Sequence, residues 1–176
     1  YITGYFQDIA DFDPSDNTNN LISLGYEDIF IAKYNSDGSL VWAKSIGSHK
    51  EDFGQKITVS KKGDIYITGY FVGTVDFDPS STTFNLQSNG GSDIFFVKYN
   101  SDGYLNWAKN VGNKSYDYPQ SIEIDEKGDI FISGNFKGAV DFSSGDSDFN
   151  LISSGDYDIF FAKYGSDGSF KWAKNI

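Results

Sequence analysis

The chain contains no cysteine, no methionine and no arginine, and it has a single histidine, His49. Without cysteine there is no disulfide framework and no thiolate metal site, although this absence does not assign a compartment. No apolar run approaches the ~20 residues that a helix needs to cross a bilayer. The formal net charge of −11 argues against binding to a nucleic-acid backbone, which requires clustered cations.

Aspartate and aromatic side chains, by contrast, are abundant. Most of the 25 acidic residues are aspartate, which suits turns and is disfavoured within strands. Aromatic residues make up 18% of the chain, more than an acidic disordered segment carries. This composition predicts a turn-rich β protein that can bury a core.

The sequence repeats with a period of 65 residues. Trp42, Trp107 and Trp172 are separated by this interval. Residues 1–46 align without a gap on residues 66–111, with 29 identities in 46 positions. A period of this length predicts one supersecondary unit per copy.

Each copy has the pattern of short β-strands joined by tight turns. The four strands predicted for the middle copy are Ile57–Ser60, Ile65–Phe71, Asp93–Tyr99 and Leu105–Lys109. Residues 74–87 are predicted to form an extra arm between the second and third strands, with Val75 and Phe77 on one face. No segment shows sustained helical spacing, so the pattern indicates an all-β fold.

The architecture follows from the predicted strand 93–99, which is apolar on both faces and therefore needs cover on both sides. Small antiparallel sheets stacked face to face provide this cover, as in the blades of a β-propeller. We predict a partial β-propeller built from tandem 65-residue repeats, with one four-stranded antiparallel blade and an extra β-arm per repeat. A linear β-array or a two-sheet sandwich is the alternative.

A propeller needs at least about four blades to close, and this chain has fewer than three full copies. The expected organisation is one segment over 1–176, with a partial repeat at 1–54, a repeat at 55–119 and a repeat at 120–176 that is incomplete at its C-terminal end. The chain also starts within a strand-like run, which suggests a processed or partial segment. We expect apolar sheet faces to be open at both ends, at Ile2 and on the Phe160/Phe161 strand.

The repeated motifs resemble those of a known family. One half of the motif is carried by Ser121, Ile122, Asp125, Gly128 and Gly134, and the other half by Asp93, Phe95, Lys98, Gly103, Leu105 and Trp107. Over the whole chain these positions resemble the bacterial β-propeller repeat called SBBP. The third copy departs from the pattern, with Ser143-Ser144 in place of Asp78-Pro79 and Gly165 in place of Asn35 and Asn100.

The resemblance implies a part of a large secreted or surface-attached bacterial protein, often found beside adhesion-like modules and sorting tails. The family offers no catalytic motif to transfer. We expect a non-enzymatic extracellular or cell-surface segment that serves as a scaffold or as a binding and adhesion module. Its expected partners are further repeats of the same polypeptide or other subunits, and surface proteins or glycans. The alternatives are part of a carbohydrate-active propeller enzyme and a self-assembling extracellular structural protein.

Paired aspartates are the candidate metal ligands. Asp11 with Asp13, and Asp76 with Asp78, offer carboxylate oxygens, which are the ligands that Ca²⁺ prefers. The spacing of a calcium loop is absent, however, and the third copy keeps only Asp141. The competing interpretation is the solvent face of an alternating strand. We predict no metal site and leave calcium binding by these four residues as an open alternative.

Two further sets of aspartates recur in every copy. Asp37, Asp102 and Asp167 precede glycine in S-D-G turns, where a carboxylate hydrogen-bonds its own turn. Asp28, Asp93 and Asp158 open the same predicted strand. A strand cap or a hydrogen bond to a neighbouring loop is the simple interpretation of the second set, because a single carboxylate does not make a site.

Aromatic residues are the candidate binding surface. The three tryptophans are interpreted as packing anchors, with an aromatic platform for sugars as the alternative. Weaker candidates leave the second strand for the arm and are expected to be partly exposed. They are Tyr70 and Phe71, with the equivalent pairs Tyr5/Phe6 and Asn135/Phe136.

No catalytic or cofactor-binding constellation is present in the sequence. His49 lies in a loop and its counterpart by period is Lys114, so it belongs to no repeated set. There is no G-x-S-x-G motif, and Asn89-Gly90-Gly91 lacks the lysine and the following helix of a phosphate-binding loop. We therefore predict no hydrolase or oxidoreductase activity and no cofactor, and we name no catalytic residues.

Overall fold

The structure is a computed structural model that describes residues 1–145 and 148–176. The described residues form β-strands and turns and contain no helix, so none of them offers a membrane-spanning helix. The first strands are β1 (Ile2–Phe6), β2 (Ile9–Asp11), β3 (Asn20–Ile22), β4 (Asp28–Tyr34) and β5 (Leu40–Ile46). The next are β6 (Asp52–Val59), β7 (Ile65–Phe71), β8 (Thr74–Asp76), β9 (Asn85–Gln87), β10 (Asp93–Tyr99) and β11 (Leu105–Val111). The last are β12 (Tyr118–Ile124), β13 (Ile130–Phe136), β14 (Ala139–Asp141), β15 (Asn150–Ile152), β16 (Asp158–Tyr164) and β17 (Phe170–Asn175).

The strands form three antiparallel sheets in chain order. Sheet 1 has the order β1-β4-β5, sheet 2 has the order β6-β7-β10-β11, and sheet 3 has the order β12-β13-β16-β17. Three small hairpins, β2-β3, β8-β9 and β14-β15, form arms that leave each sheet between its second and third strands in the chain. In sheet 1, which has three strands, the arm follows β1. The prediction of an all-β protein is confirmed.

The strand bounds differ from the prediction mainly in β6. We expected this strand to begin at Ile57, whereas Asp52 and Phe53 already pair with Phe71 and Tyr70 of β7. A shift in register between Gly54 and Lys56 interrupts the alternation, which hides the first part of the strand from a pattern of period two. The predicted repeat borders at 54/55 and 119/120 lie inside β6 and β12.

The sheets stack face to face, with one hydrophobic core between each adjacent pair. The core between sheets 1 and 2 includes Ile29 and Ile31 of β4 and Ile67 of β7. The core between sheets 2 and 3 includes Phe96 of β10 and Phe160 of β16. Backbone contacts between sheets are concentrated on β1, β6 and β12, so the sheets approach most closely along this edge. Sheet 2 is therefore covered on both faces, as its two-sided apolar strand predicts.

The Thr-Gly pair in the second strand has a steric and a polar cause. The Thr68 hydroxyl donates a hydrogen bond to the Phe95 carbonyl at 2.7 Å, and both residues are buried. A Cβ on Gly69 would collide with the Phe53 carbonyl oxygen of the neighbouring strand, so only glycine fits at this position. The pair thus allows β6, β7 and β10 to lie close together.

The arms seal the outer part of each core. Val75 and Phe77 are fully buried, which confirms that these residues share the inward face of the arm. The Tyr99 hydroxyl donates a hydrogen bond to the Phe77 carbonyl at 2.8 Å. The equivalent bonds run from Tyr34 to Phe12 at 2.8 Å and from Tyr164 to Phe142 at 2.9 Å.

Both end sheets leave an apolar face open. On sheet 3 the exposed side chains are Ile159 at 54%, Phe161 at 36% and Ile176 at 80%. On sheet 1, Ile2 is 46% exposed. The predicted open faces are therefore present at Ile2 and Phe161. The expectation for Phe160 is wrong, because successive strand residues point to opposite faces and Phe160 faces sheet 2, where it is 2% exposed.

We expect Tyr99→Phe to lower the free energy of unfolding by about 1–3 kcal/mol, because it leaves the Phe77 carbonyl without its buried donor. Tyr34→Phe is the matched control, since its bond to Phe12 is only partly buried and water can replace the lost donor. Urea unfolding of both variants measures the difference. Equal losses would show that the buried tie does not hold the arm.

Candidate functional site

The chain crosses from one sheet to the next through loops 47–51 and 112–116, and a buried pair of carboxylates borders each crossing. At the first crossing, Asp28 accepts a hydrogen bond from the Leu24 backbone N–H at 3.0 Å. Asp52 accepts bonds from the backbone N–H groups of Ser48 at 2.7 Å and Val72 at 3.3 Å. The two carboxylates therefore tie the crossing loop to both of the strands that follow it and to the base of an arm.

The second crossing is built in the same way. Asp93 accepts hydrogen bonds from the Asn89 backbone N–H at 3.2 Å and from the Asn110 side-chain amide at 3.0 Å. Asp117 accepts bonds from the backbone N–H groups of Asn113 at 3.0 Å and Lys137 at 3.1 Å. These carboxylates serve as anchors for loops, because backbone N–H groups rather than a ligand surround them.

The sequence identified only half of these anchors. The prediction that Asp28, Asp93 and Asp158 hydrogen-bond a neighbouring loop is confirmed, and Asp158 accepts a bond from the Ser154 N–H at 3.1 Å. Asp52 and Asp117 were missed. Their spacing of 65 residues was the available signal, but both precede a segment that was not recognised as a strand.

Burial sets the proton affinity of these carboxyls. It raises the pKa of Asp52 to about 7, although hydrogen bonds from Ser48 and Val72 oppose the shift. Burial likewise raises the pKa of Asp93 to about 6 against the hydrogen bonds from Asn89 and Asn110. Each shift is increased by a neighbouring carboxylate, Asp28 for Asp52 and Asp117 for Asp93. Burial also raises the pKa of Asp28 and of Asp117.

We expect the protein to become more stable as the pH falls from about 8 to about 5. The folded state holds the Asp52 proton up to about pH 7, whereas an unfolded aspartate releases it near about pH 3.9. The stabilisation is therefore complete below the unfolded pKa and is lost as the pH rises through about 7. Urea unfolding should show a gain of about 1–3 kcal/mol over this window.

The double variant Asp52→Asn/Asp93→Asn should flatten this pH profile, while Asp102→Asn in an exposed turn should leave it unchanged. A wild-type stability that falls steadily between about pH 8 and about pH 5 would contradict the assignment of these carboxyls.

An aromatic row runs along the edge where the sheets approach one another. It consists of Tyr5 on β1, Phe53 on β6, Tyr70 on β7, Tyr118 on β12 and Tyr157 just before β16. Successive ring centroids are 4.5, 4.8, 5.0 and 6.5 Å apart, and the Phe53 and Tyr70 rings are stacked. The row lies at the end of the sheets that carries the crossing loops and the arms.

The row corrects the predicted binding surface. Tyr5 is 55% exposed and Tyr70 is partly exposed, as expected. Phe6, Phe71 and Phe136 are buried instead, because they point to the opposite face of their strands and pack against the arms. Asn135 is partly exposed but carries no ring, so the third sheet contributes Tyr118 and Tyr157, which were not predicted.

A cleft of about 260 Å³ adjoins the row. Its rim includes Tyr26, Tyr116, Lys50, Glu51, Val72 and Gly91. Tyr116 precedes Tyr118 of the row by two residues, and Val72 follows Tyr70 by two residues, so the cleft and the row form one surface. The cleft brings together residues from three different loops and was not predicted.

The tryptophans act as packing anchors between sheets. All three lie at equivalent positions on β5, β11 and β17 and are partly buried. Trp107 packs 5.9 Å from Phe96, and its indole N–H donates to the Ser166 carbonyl of sheet 3 at 3.4 Å. A Cβ on Gly103 would lie 3.0 Å from the Trp42 ring, so the tight turn of sheet 2 packs against sheet 1 at this point. These contacts favour the packing interpretation over an open sugar platform.

We expect Trp107→Ala to cost about 3 kcal/mol, because it removes a ring packed between two sheets. Trp172→Ala should cost less, since the Trp172 ring contacts only Phe131 and Phe161 on the open face of sheet 3. Unfolding by urea measures both. A loss below about 1 kcal/mol for Trp107, together with impaired sugar binding, would support the platform instead.

The paired aspartates close the arm loops. Asp76 accepts hydrogen bonds from the backbone N–H groups of Asp78 at 3.0 Å and Phe84 at 2.8 Å. Asp11 does the same for Asp13 at 3.0 Å and Asn19 at 2.8 Å, and these bonds lower the pKa of Asp11. Across the described ranges, no group of three or more His, Asp or Glu side chains is arranged to hold a metal ion.

The S-D-G turns depend on a polar side chain, but not always on the aspartate. Asp37 and Asp167 each accept a hydrogen bond from the serine N–H two residues later at 3.0 Å, as predicted. In the middle copy Asn100 takes this role and accepts bonds from the N–H groups of Asp102 and Tyr104, each at 3.0 Å. The prediction for Asp102 is therefore wrong, because Tyr104 replaces the serine that pairs with the aspartate elsewhere.

His49 is exposed, as expected for a loop residue. Its Nδ1–H donates a hydrogen bond to the Leu24 carbonyl at 2.7 Å, which joins the crossing loop to the segment before β4. The side chain therefore has a structural partner in the same loop cluster that Asp28 and Asp52 anchor.

The stacked antiparallel sheets, each with the same strand order and an arm at the same place, define the class of repeat-built β-proteins. Residues 41–70 match the family model described as "Beta-propeller repeat" (SBBP), which confirms the resemblance over this stretch. These residues run from β5 through β6 to β7 and include the crossing loop and Asp52. The chain is a β-propeller repeat protein.

Two curated relatives have similar sequences. An uncharacterized WD repeat-containing protein, L264, of Acanthamoeba polyphaga mimivirus is 28% identical over 154 residues, which cover 84% of this chain and 11% of that protein. The regulatory protein FlaEY of Caulobacter vibrioides is 23% identical over 145 residues, which cover 82% of this chain and 15% of that protein. The chain thus spans between 11% and 15% of the length of these relatives.

Proposed function

We propose that the chain is a segment of a β-propeller with one four-stranded blade and one arm per 65-residue repeat. In this proposal it acts without catalysis, as a scaffold and binding module of a secreted or cell-surface protein. The observation that carries the proposal is the open face of sheet 3. Its residues repeat those that are buried at both internal junctions, so the face is built to receive another sheet of the same kind.

The exposed fractions support this argument position by position. Ile29, Ile94 and Ile159 are equivalent by period, and their exposed fractions are 1%, 2% and 54%. The next equivalent positions are Ile31, Phe96 and Phe161, at 0%, 1% and 36%, and then Ile46, Val111 and Ile176, at 4%, 3% and 80%. Each set is buried where a following sheet exists and open where none does.

The face of sheet 1 is the complementary half of the same junction. Ile2 corresponds to Ile67 and Ile132, whose exposed fractions are 0% and 2% where a preceding sheet covers them. We therefore propose that the partners at both ends are further units of this repeat, in the same polypeptide or in another subunit. The close approach of β1, β6 and β12 along one edge favours a radial rather than a linear arrangement.

The absence of catalysis in this proposal follows from the role of the best-placed acids. Asp28, Asp52, Asp93 and Asp117 are the buried carboxylates, and each already accepts hydrogen bonds from loop N–H groups. A carbohydrate-active enzyme needs two carboxyl groups that face a substrate. The secreted or surface location is supported by the resemblance to the SBBP repeat and is part of the proposal.

The test is an extended chain in which residues 47–111 are appended after Ile176, which keeps the period of 65 residues. In the 176-residue monomer, Ile94→Ala should cost about 2–5 kcal/mol and Ile159→Ala less than about 1 kcal/mol. In the extended chain, Ile159→Ala should become as costly as Ile94→Ala, because the added sheet covers it. Urea unfolding at concentrations where sedimentation shows a monomer gives these values.

Ile152→Ala is the matched control for this test. Ile152 is 67% exposed, on the arm strand β15 and away from the open face, so its cost should stay small in both chains. An unchanged cost of Ile159→Ala in the extended chain would overturn the docking of a further repeat. Concentration-dependent association of the 176-residue chain that Ile159→Asp abolishes would favour the self-assembling alternative.

A further inference from the structure

The cleft beside the aromatic row is made by residues that depart from the repeat. Tyr26 stands where the other copies have Gly91 and Asp156, and Tyr116 stands where the first copy has Glu51. Val72 likewise replaces Gln7 and Lys137. Residues that pack the sheets recur every 65 positions, whereas these residues do not. Packing of the repeat therefore does not explain why they are aromatic or apolar.

The tyrosines of the cleft are also poorly covered. Tyr26 is 65% exposed and Tyr116 is 56% exposed, although rings of this size bury most of their surface when they serve the core. Tyr116 lies against Gly91, which has no side chain to cover the ring, and a Cβ there would come 3.3 Å from the Tyr116 ring. The rings thus present open faces beside Tyr70 and Tyr118 of the row.

The charges on the rim indicate the polarity of the ligand. Lys50 and Glu51 are exposed, and neither side chain forms an ion pair within the part of the chain that the structure describes. One positive and one negative group give no net attraction for a polyanion, and the formal charge of −11 repels one. A neutral ligand that donates to Glu51 and accepts from Lys50 matches this rim.

Size and shape narrow the choice further. A volume of about 260 Å³ is below the ~300–1,000 Å³ of pockets for drug-sized ligands, so the cleft holds one compact unit at a time. The row of stacked rings continues from it across sheets 2 and 3, which suits a ligand made of repeated units. A sugar ring has an apolar face for a tyrosine and hydroxyl groups at its rim.

We propose that this cleft binds one residue of a neutral oligosaccharide, stacked on Tyr26 and Tyr116, with Lys50 and Glu51 as hydrogen-bond partners of its hydroxyl groups. Further sugar units extend along Tyr70 and Tyr118. The proposal rests on the proposed function as a binding module and names the class of its ligand.

The experiment titrates the 176-residue chain with neutral oligosaccharides of glucose, mannose, xylose and N-acetylglucosamine, followed by NMR chemical shifts and calorimetry. At least one series should bind, with shifts at the cleft and the row. Tyr116→Ala should weaken binding at least tenfold, and Glu51→Gln should weaken it severalfold. The matched control is Tyr104→Ala, because Tyr104 is also 56% exposed but lies in the turn at the opposite end of sheet 2.

Thermal unfolding of each variant separates loss of binding from loss of fold. The proposal is overturned if no neutral oligosaccharide binds at millimolar concentration, or if Tyr116→Ala and Tyr104→Ala bind equally well. It is also overturned if a proline-rich peptide, which aromatic grooves accept as well, competes for the cleft and binds more tightly. None of these outcomes affects the docking of further repeats, which is measured on the open face of sheet 3.

Discussion

The burial of one sheet face against the next is the interaction on which this structure depends. The chain has no cysteine for disulfides, and each sheet has only three or four short strands. Sheet 2 is stable in this setting because sheets 1 and 3 cover its two faces, and the end sheets each have one covered face. Stability in such an array is close to a sum of nearest-neighbour terms, so every junction matters to the whole.

The same stacking explains the unusual aspartates. A chain that leaves one sheet and enters the next must turn within a few residues, which exposes backbone N–H groups at a place that the stacked sheets exclude from water. Carboxylates such as Asp52 and Asp117 satisfy these groups, and they do so at the cost of being buried themselves. The raised pKa of these groups is the consequence of that exchange, and it links folding to pH in a protein with a single histidine.

Much of the architecture could be read from pattern alone. The strands β7 and β10 and the inward face of the arm at Val75 and Phe77 were predicted within a residue or two. The start of β6 was not, because a register shift near Gly54 breaks the alternation that reveals a strand. The aromatic row was only partly predicted, since its members come from different sheets and share no period.

By itself, the sequence determined the local structure and the number of units, because strand alternation, turn glycines and a regular period are properties of neighbouring residues. It also determined that the same junction is used repeatedly. Only the tertiary structure decided which side chains meet across sheets. Tyr26 and Tyr116 are 90 positions apart in the chain, and they line one cleft because stacking brings successive crossing loops to the same end of the molecule. Burial likewise distinguishes Ile94 from Ile159, whose sequence surroundings are nearly the same, since only one of them has a sheet on its far side.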